Sequence, residues 1–460
     1  MKIAIIGGGP GGYVAAVRAA QLGAEVTLIE KENLGGTCLN KGCIPTKVLL
    51  HTAEQLEAIK NDYKEIGIEV GSASVDWQRL QKRKDSTVKK LTGGVGALLR
   101  KNKVTKISGE GKFKNKNQIS VRTADGTTST VDFDYALIAA GSTPAVPPLS
   151  GVNLPGVITS DEALALNEIP KSMVIIGGGV IGAEFAAVYG ALGCKITIVE
   201  MLPNIVANMD KDIVQPLKDK FVKNGIEIYT NTKVESISKS DSRLLVNTSS
   251  AAGSKTFEAE KVLLAIGRKP ATDSLGLDNA GIKTERNAIT VDKNMRTNVN
   301  SIYAIGDCNG GVMLAHVASA EGIAAVESIM GRRPSIDFKT IPYCVYTKPE
   351  LAGVGMTEEQ AKSKGLDVKI GIFPMYVNGK AMIECETEGL VKYIADKYTG
   401  EILGLHIAGP RATDLIVEGA LAIRLEATVD EIISTIHAHP TVGEALQEAA
   451  HAVDGNAIHI

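Results

Sequence analysis

The chain has 460 residues, enough for roughly three or four domains. Apolar residues at 44% with a formal charge of −2 exclude a disordered chain, which needs low hydrophobicity and high net charge. That near-neutral charge gives no electrostatic reason to expect nucleic acid, and six cysteines are too few for a disulfide-stapled secreted scaffold.

Met1–Ile6 reads as a buried strand. No apolar leader with a small-residue cleavage site precedes it, so a cytoplasmic protein is expected. The strand runs into Gly7-x-Gly9-x-x-Gly12, then an Ala-rich helical segment, then a second apolar strand ending in Glu30. The first glycine of such a motif permits the tight turn. The second lets a pyrophosphate approach the backbone, and the third lets helix and strand pack closely. The pyrophosphate then sits on unpaired N–H groups at the positive helix end, and the terminal acid accepts from a ribose hydroxyl. One copy alone is a weak signal.

Residues 35–47 read GGTCLNKGCIPTK and place Cys38 five positions before Cys43. A zinc site needs about four ligands. Cys194, Cys308, Cys344 and Cys385 are scattered, so no metal is expected. Two unrelated buried thiols remain one reading; a disulfide that cycles with its dithiol is the other. Pro45 suits a first helical turn, and the i, i+4 step then sets Lys47 on the Cys43 face, where a cation would stabilise a thiolate. A helical insert from Ala53 to Lys101 and a β-rich piece from Val104 to Phe133 follow. A strand Tyr135–Ala139 leads into Ala140-Gly141-Ser142-Thr143-Pro144, and Pro144, Pro147, Pro148 and Pro155 mark a linker.

Residues 173–200 repeat the pattern of residues 3–30 in register, with Gly177, Gly179, Gly182 and a closing Glu200. Two copies with matching strand, helix and acid make the dinucleotide reading specific. Met173–Gly193 is the most membrane-like stretch, yet Glu184 sits in its middle and argues against insertion. Glu200 would repel a 2′-phosphate, and no Arg lies between Gly182 and Arg243, so NAD is expected rather than NADP. Asp307, in Ile305-Gly306-Asp307, reads by itself as a turn acid after a strand. From about Tyr346 strands and helices alternate without a nucleotide fingerprint. There, residues 437–444 read HAHPTVGE. Thiol chemistry needs a group titrating near neutral pH, which histidine supplies. Pro440 holds His439 extended, and Thr441-x-x-Glu444 reads as a capping box for the following helix. His437 is the competing candidate.

Taken together, GGGPGG, GGTCLNKGCIPTK, GGGVIGAEF, the Gly306-Asp307 segment and HAHPT resemble the pyridine nucleotide–disulfide oxidoreductase family over essentially the whole chain. Cys38-Leu39-Asn40-x-Gly42-Cys43 favours its dihydrolipoamide-oxidising branch. The resemblance implies an α/β fold of two Rossmann-like dinucleotide-binding domains, for FAD and NAD, plus a C-terminal α+β dimerisation domain. The expected boundaries are 1–147 and 271–345 for FAD, 148–270 for NAD and 346–460 for dimerisation. FAD would be held by Gly7, Gly9, Gly12, Glu30, Thr37, Lys47, Ala140, Gly141, Asp307 and Ala315. NAD would be held by Gly177, Gly179, Gly182, Glu184, Glu200 and Gly267. Ala140 stands where the family has Thr, which removes one side-chain hydrogen bond. Arg268 is expected to meet cofactor only through its backbone.

The same resemblance implies a redox disulfide Cys38–Cys43, with Cys38 exchanging with dihydrolipoamide and Cys43 passing electrons to FAD and on to NAD. Lys47 would pair with Glu184. His439, the histidine directly before Pro, would be the base, oriented by Glu444 and reaching the second copy's cysteines in a homodimer. The implied partners are lipoyl domains with a core acyltransferase, or glycine cleavage proteins. A glutathione reductase-like enzyme using NAD(P)H is the alternative. Glu200 opposes it, as does the lack of Arg between Cys38 and Trp77 to meet glutathione's carboxylates. A mercuric reductase-like enzyme would need a C-terminal cysteine pair, which VDGNAIHI lacks.

Overall fold

The computed structural model describes residues 1–241, 243–333 and 336–460. By its own packing the chain divides into two units. Met1–Val48, Gln78–Ala145 and Gly267–Ile336 form the first; Leu49–Trp77, Val146–Ile266 and Asp337–Ile460 form the second. Among the described residues no helix is long and apolar enough to cross a membrane.

The first unit is built on a five-stranded parallel sheet in the order Ile302–Ala304, Tyr135–Ile138, Lys2–Ile6, Glu25–Glu30, Thr105–Ser108. All but the edge strand Thr105–Ser108 are largely buried on both faces, because both are covered. On one face Ile3, Ile5, Val26 and Leu28 meet Ala15, Ala16 and Ala19 of the helix Pro10–Gln21 and Ala325, Val326 and Ile329 of the helix Ala315–Ile329. These helices approach closely: a Cβ on Gly322 would lie 2.6 Å from the carbonyl of Gly11. On the other face Ala4, Ile6 and Ile138 meet Phe113, Ile119 and Val121 of a three-stranded antiparallel sheet, Glu110–Asn115, Gln118–Arg122 and Thr128–Asp132. The insert expected from Ala53 to Lys101 falls on two helices, Cys43–Asn61, which starts ten residues earlier, and Trp77–Lys101; its part up to Trp77 belongs to the second unit and only the rest to the first.

The second unit repeats this plan and adds to it. Its parallel sheet runs Glu227–Tyr229, Lys195–Val199, Ser172–Ile176, Lys261–Leu264, Val157–Thr159. The register Ser172 to Lys195 is that of Lys2 to Glu25, 170 positions later. Val174, Ile176 and Val262 pack on Val246, Phe257 and Ala259 of a second antiparallel sheet. Beyond it lies a five-stranded antiparallel sheet, Tyr343–Val345, Glu350–Gly355, Ile402–Gly409, Leu390–Asp396, Val368–Pro374. Its core is closed by the helices Ala412–Arg424 and Glu444–Ala452.

Within that unit Lys392 is fully buried in the middle of an apolar strand. Its ammonium lies 3.1 Å from Asp210, 2.6 Å from Asp212 and 2.6 Å from Glu358. Asp210 also caps the helix Lys211–Lys223, accepting from the Asp212 N–H at 3.0 Å.

Candidate active site

The first glycine turn leaves its strand through Gly7, whose φ of +102° puts it in the left-handed region that side chains avoid. A Cβ there would lie 2.2 Å from the Ala139 carbonyl, and one on Gly12 would lie 1.9 Å from the Gly7 carbonyl. Gly177 and Gly182 repeat both constraints in the second unit, at 2.5 Å from Ala265 and 2.0 Å from Gly177. Both middle glycines differ. A Cβ on Gly9 would meet only Gly36 Cα, at 3.7 Å, and one on Gly179 would meet no described atom within 4 Å. The outer glycines therefore answer to the chain's own packing. The middle ones border open space at a helix N-terminus, where unpaired N–H groups favour an anion.

The closing acids are fixed alike. Glu30 accepts from Gly8 N–H and Glu32 N–H, both at 2.6 Å. Glu200 accepts from Gly178 N–H at 2.6 Å and Leu202 N–H at 2.7 Å. Each carboxylate is thus held by two backbone amides, with lone pairs left for a further donor.

The cysteine segment lies against the first turn. Gly35 N–H donates to the Gly8 carbonyl at 2.8 Å, and a Cβ on Gly36 would come within 2.7 Å of Gly9 Cα. The short helix Gly36–Lys41 then carries Cys38, and Gly42 breaks it, so Cys43 starts the long helix Cys43–Asn61. The two cysteine side chains are in hydrogen-bond contact. That bond, burial and the Cys43 charge raise the Cys38 thiol far above its ordinary range, while the nearby Lys47 ammonium pulls it down. Cys43 and Lys47 stand one turn apart on the helix Cys43–Asn61. Tyr13, also beside Cys38, is raised by burial and by the Cys38 charge.

Asp307 sits in the turn Gly306–Asn309 and pairs with the Ser142 hydroxyl. Arg268 donates to that same Ser142 oxygen at 2.7 Å, to the Ser142 carbonyl at 2.8 Å and to Thr37 Oγ1 at 3.4 Å. Gly267 belongs to the first unit, where its carbonyl accepts from Ala145 N–H at 2.9 Å. Ala315 opens the helix Ala315–Ile329. Glu184, in the second unit, is buried and accepts from Tyr346 N–H at 3.2 Å.

The histidine segment separates its two candidates. His437 is only 8% exposed, with Nε2 3.1 Å from Glu418 and Nδ1 2.9 Å from the Thr435 carbonyl. His439 is 80% exposed, and only its Nδ1 meets a carboxylate, that of Glu444 at 2.8 Å. The His439–Pro440 bond is cis. The capping box is only half formed. Glu444 Oε2 accepts from Thr441 N–H at 2.8 Å, but the helix begins at Glu444 itself, capped by Gly443 without a side chain. The Thr441 hydroxyl donates to the Ala438 carbonyl instead. Partial burial raises the Glu444 carboxyl. The Thr441 N–H, His439 and the charge of His459 outweigh it and leave the group below the ordinary carboxylate range.

Residues 1–322 match the model of the pyridine nucleotide-disulphide oxidoreductase family, and residues 341–450 match its dimerisation domain. The chain belongs to this family. It is 42% identical to a dihydrolipoyl dehydrogenase of Bacillus subtilis over 99% of this chain and 98% of the relative. It is 43% identical to the mitochondrial dihydrolipoyl dehydrogenase of Pisum sativum, covering all of this chain and 92% of that one. Among solved structures, LpdA from Mycobacterium tuberculosis superposes with a TM-score of 0.91 at 28% identity, over 98% of this chain and 99% of that one.

Several residues of this disulphide oxidoreductase escaped sequence reasoning. Ser142 and the Arg268 side chain brace Asp307, although the sequence marks only the backbone around them. Glu321 accepts from Gly306 N–H at 2.6 Å and Asn309 Nδ2 at 3.1 Å, fixing the same turn from behind. Its signal was a single buried acid in the Ala-rich run AHVASAEGIAAVESI.

Proposed function

We propose that this enzyme oxidises dihydrolipoamide to lipoamide, with NAD+ as final acceptor. The observation that carries the reading is the Cys38–Cys43 contact against the Gly8–Gly9 turn, with Lys47 acting on the pair. The cofactor sites fit. A Cβ on Gly9 would meet Gly36 Cα only at 3.7 Å and one on Gly179 no described atom within 4 Å, each at a helix N-terminus, and Glu30 and Glu200 are fixed by the neighbouring Gly8 and Gly178 N–H groups. We assign Gly7, Gly9, Gly12, Glu30, Thr37, Lys47, Ala140, Gly141, Asp307 and Ala315 to FAD. Gly177, Gly179, Gly182, Glu184, Glu200 and Gly267 are assigned to NAD. FAD supplies a two-electron carrier and NAD+ a hydride acceptor.

The chain's own groups then divide the work. Glu444 holds His439 Nδ1, which leaves Nε2 to accept the proton of a substrate thiol. In the oxidised enzyme, where Cys38 and Cys43 would be joined as a disulfide, the resulting thiolate attacks Cys38, breaking that bond and forming a mixed disulfide. The second substrate thiol closes lipoamide and releases the cysteines as a dithiol, so two electrons leave the substrate and two enter the pair. Lys47 stabilises the anionic sulfur. The exposed His439 suits a base that works on a second copy's cysteines, and the dimerisation-domain match supports a homodimer. Residues 1–147 and 271–345 form the FAD domain in this reading, 148–270 the NAD domain and 346–460 the dimerisation domain. Lipoyl domains carried by another chain, in a 2-oxo acid dehydrogenase or glycine cleavage complex, are the proposed substrate carriers in the cytoplasm. Glu200, anchored by two N–H groups, opposes a 2′-phosphate and with it the NADPH-dependent alternative.

The test is NAD+ reduction by dihydrolipoamide, repeated with NADP+ and with Cys43→Ser. Turnover with NAD+ that collapses in the variant supports the reading. Bound FAD without dihydrolipoamide turnover would overturn the substrate and leave the fold standing.

A further inference from the structure

The helix Glu444–Ala452 carries a second acid one turn beyond Glu444, and that acid also holds a histidine. Glu448 Oε1 lies 2.7 Å from His459 Nδ1, while its Oε2 accepts from Ile458 N–H at 2.9 Å and His459 N–H at 3.2 Å. Residues at i and i+4 face the same way, so the His439–Glu444 and His459–Glu448 pairs stand side by side. Both imidazoles are exposed, at 80% and 71% of their side-chain surface. The proximity is felt: the charge of His459 helps hold the Glu444 carboxyl low. Glu448 itself is raised by burial and lowered by more through His459 and the two N–H groups.

Other charged groups on the elements packed against this helix meet different partners: Lys392 meets Asp210, Asp212 and Glu358, and Asp396 accepts from the N–H groups of Tyr398 and Thr399. Lys369 lies 2.6 Å from Asp454, His437 lies 3.1 Å from Glu418, and Glu431 accepts from Thr428 at 2.7 Å. Asp430 and His451 complete the titratable groups of the two helices. The pair one turn along the helix from Glu444 is one carboxylate, Glu448, and one imidazole, His459.

We propose that Glu448 and His459 are positioning residues whose opposed charges set the pH range in which His439 accepts a proton. The proposal rests on His439 being the base of the reaction above. A carboxylate near an imidazole favours its protonated form, and a cation disfavours it. His459→Gln leaves Glu448 unbalanced, which makes His439 hold its proton to higher pH. Glu448→Gln removes the negative charge and has the opposite effect. At one to two turns' distance in partly exposed surroundings each shift is a few tenths of a pH unit, about 0.3.

The experiment is the pH profile of kcat/KM for dihydrolipoamide oxidation by the FAD-loaded enzyme, in the native protein, His459→Gln, Glu448→Gln and the double variant. Expected are acid limbs displaced upward in the first variant, downward in the second and back to the native position in the double variant. Both displacements shrink in 1 M salt, where the screening length is about 3 Å. Losing the tail's attachment would act the same way in every variant. Limbs that move together, or that stay fixed while activity falls, overturn the proposal. A native enzyme with no dihydrolipoamide turnover at any pH overturns instead the reading on which it rests.

Discussion

Glu444 divides its carboxylate between His439 Nδ1 and the N–H of Thr441, each at 2.8 Å, so one acid both orients the imidazole and pins the loop that carries it. Replacing it with Gln keeps the loop contact and removes the charge. Glu444→Gln should lose about 10- to 100-fold in kcat with little change in fold. The sign of the pH effect follows from the lost anion: His439 gives up its proton more readily, so the acid limb of kcat moves to lower pH. Steady-state profiles over the acid range check both.

Packing separates the three glycines of each fingerprint. Gly12→Ala would drive a Cβ to 1.9 Å from the Gly7 carbonyl, so the turn must open and the protein should express poorly or unfold early. Gly9→Ala meets only Gly36 Cα at 3.7 Å. It should fold with a melting temperature close to native apoprotein and yet bind FAD at least tenfold more weakly. Thermal melts beside FAD titration distinguish the two, and equal destabilisation would contradict the assignment.

Lys392 meets Asp210, Asp212 and Glu358 together, and Lys362 meets Glu358 as well. Lys392→Met should destabilise the fold by about 3–5 kcal/mol near neutral pH, the cost of stranding buried charge. Its pH dependence should invert. In the native protein Lys362 and Lys392 hold the Glu358 carboxyl down at about 2, so its contribution is present above the ordinary carboxylate range and fades as pH falls toward 2. Without Lys392 the crowded carboxylates prefer to be protonated, so stability should rise as pH falls from 7 to 5. Denaturant melts across that range provide the measurement.

For the cysteines, the Cys38 thiol is raised by its hydrogen bond to Cys43, by burial and by the Cys43 charge. Cys43→Ala deletes the first and third of these and leaves Lys47 in place. Cys38 should then ionise at lower pH and react with iodoacetamide faster at neutral pH than in the reduced native protein. An unchanged rate would mean that burial alone governs it, and a slower one would contradict the assigned causes.

The repeated units were legible because their constraints are local. Gly12 and Gly182 answer to the carbonyls of Gly7 and Gly177 five residues back, and Glu30 and Glu200 end strands whose registers match at the expected offset, whereas Gly7 and Gly177 meet Ala139 and Ala265 from far along the chain. Cys43 and Lys47 were legible for the same reason, being one turn apart on a helix. Long-range partners were not. Arg268 meets Ser142, and Glu321 braces Gly306, through contacts that no periodicity encodes. Lys392 is the clearest case: a lysine inside LVKYIAD reads as solvent-facing, and only tertiary folding brings three acids to it. The capping box was half right because Glu444 is shared with His439, and the helix starts later than the motif suggests.

The anchoring of Glu30 and Glu200 by backbone amides has a bearing on how such a molecule is assembled. Their orientation is settled by the folding of each strand–turn–helix unit and needs no template. Binding at such an acid therefore forfeits little conformational freedom in the chain. A duplicated unit with this property keeps its shape whichever dinucleotide it comes to serve. That frees one copy to specialise for a tightly held carrier and the other for an exchangeable one.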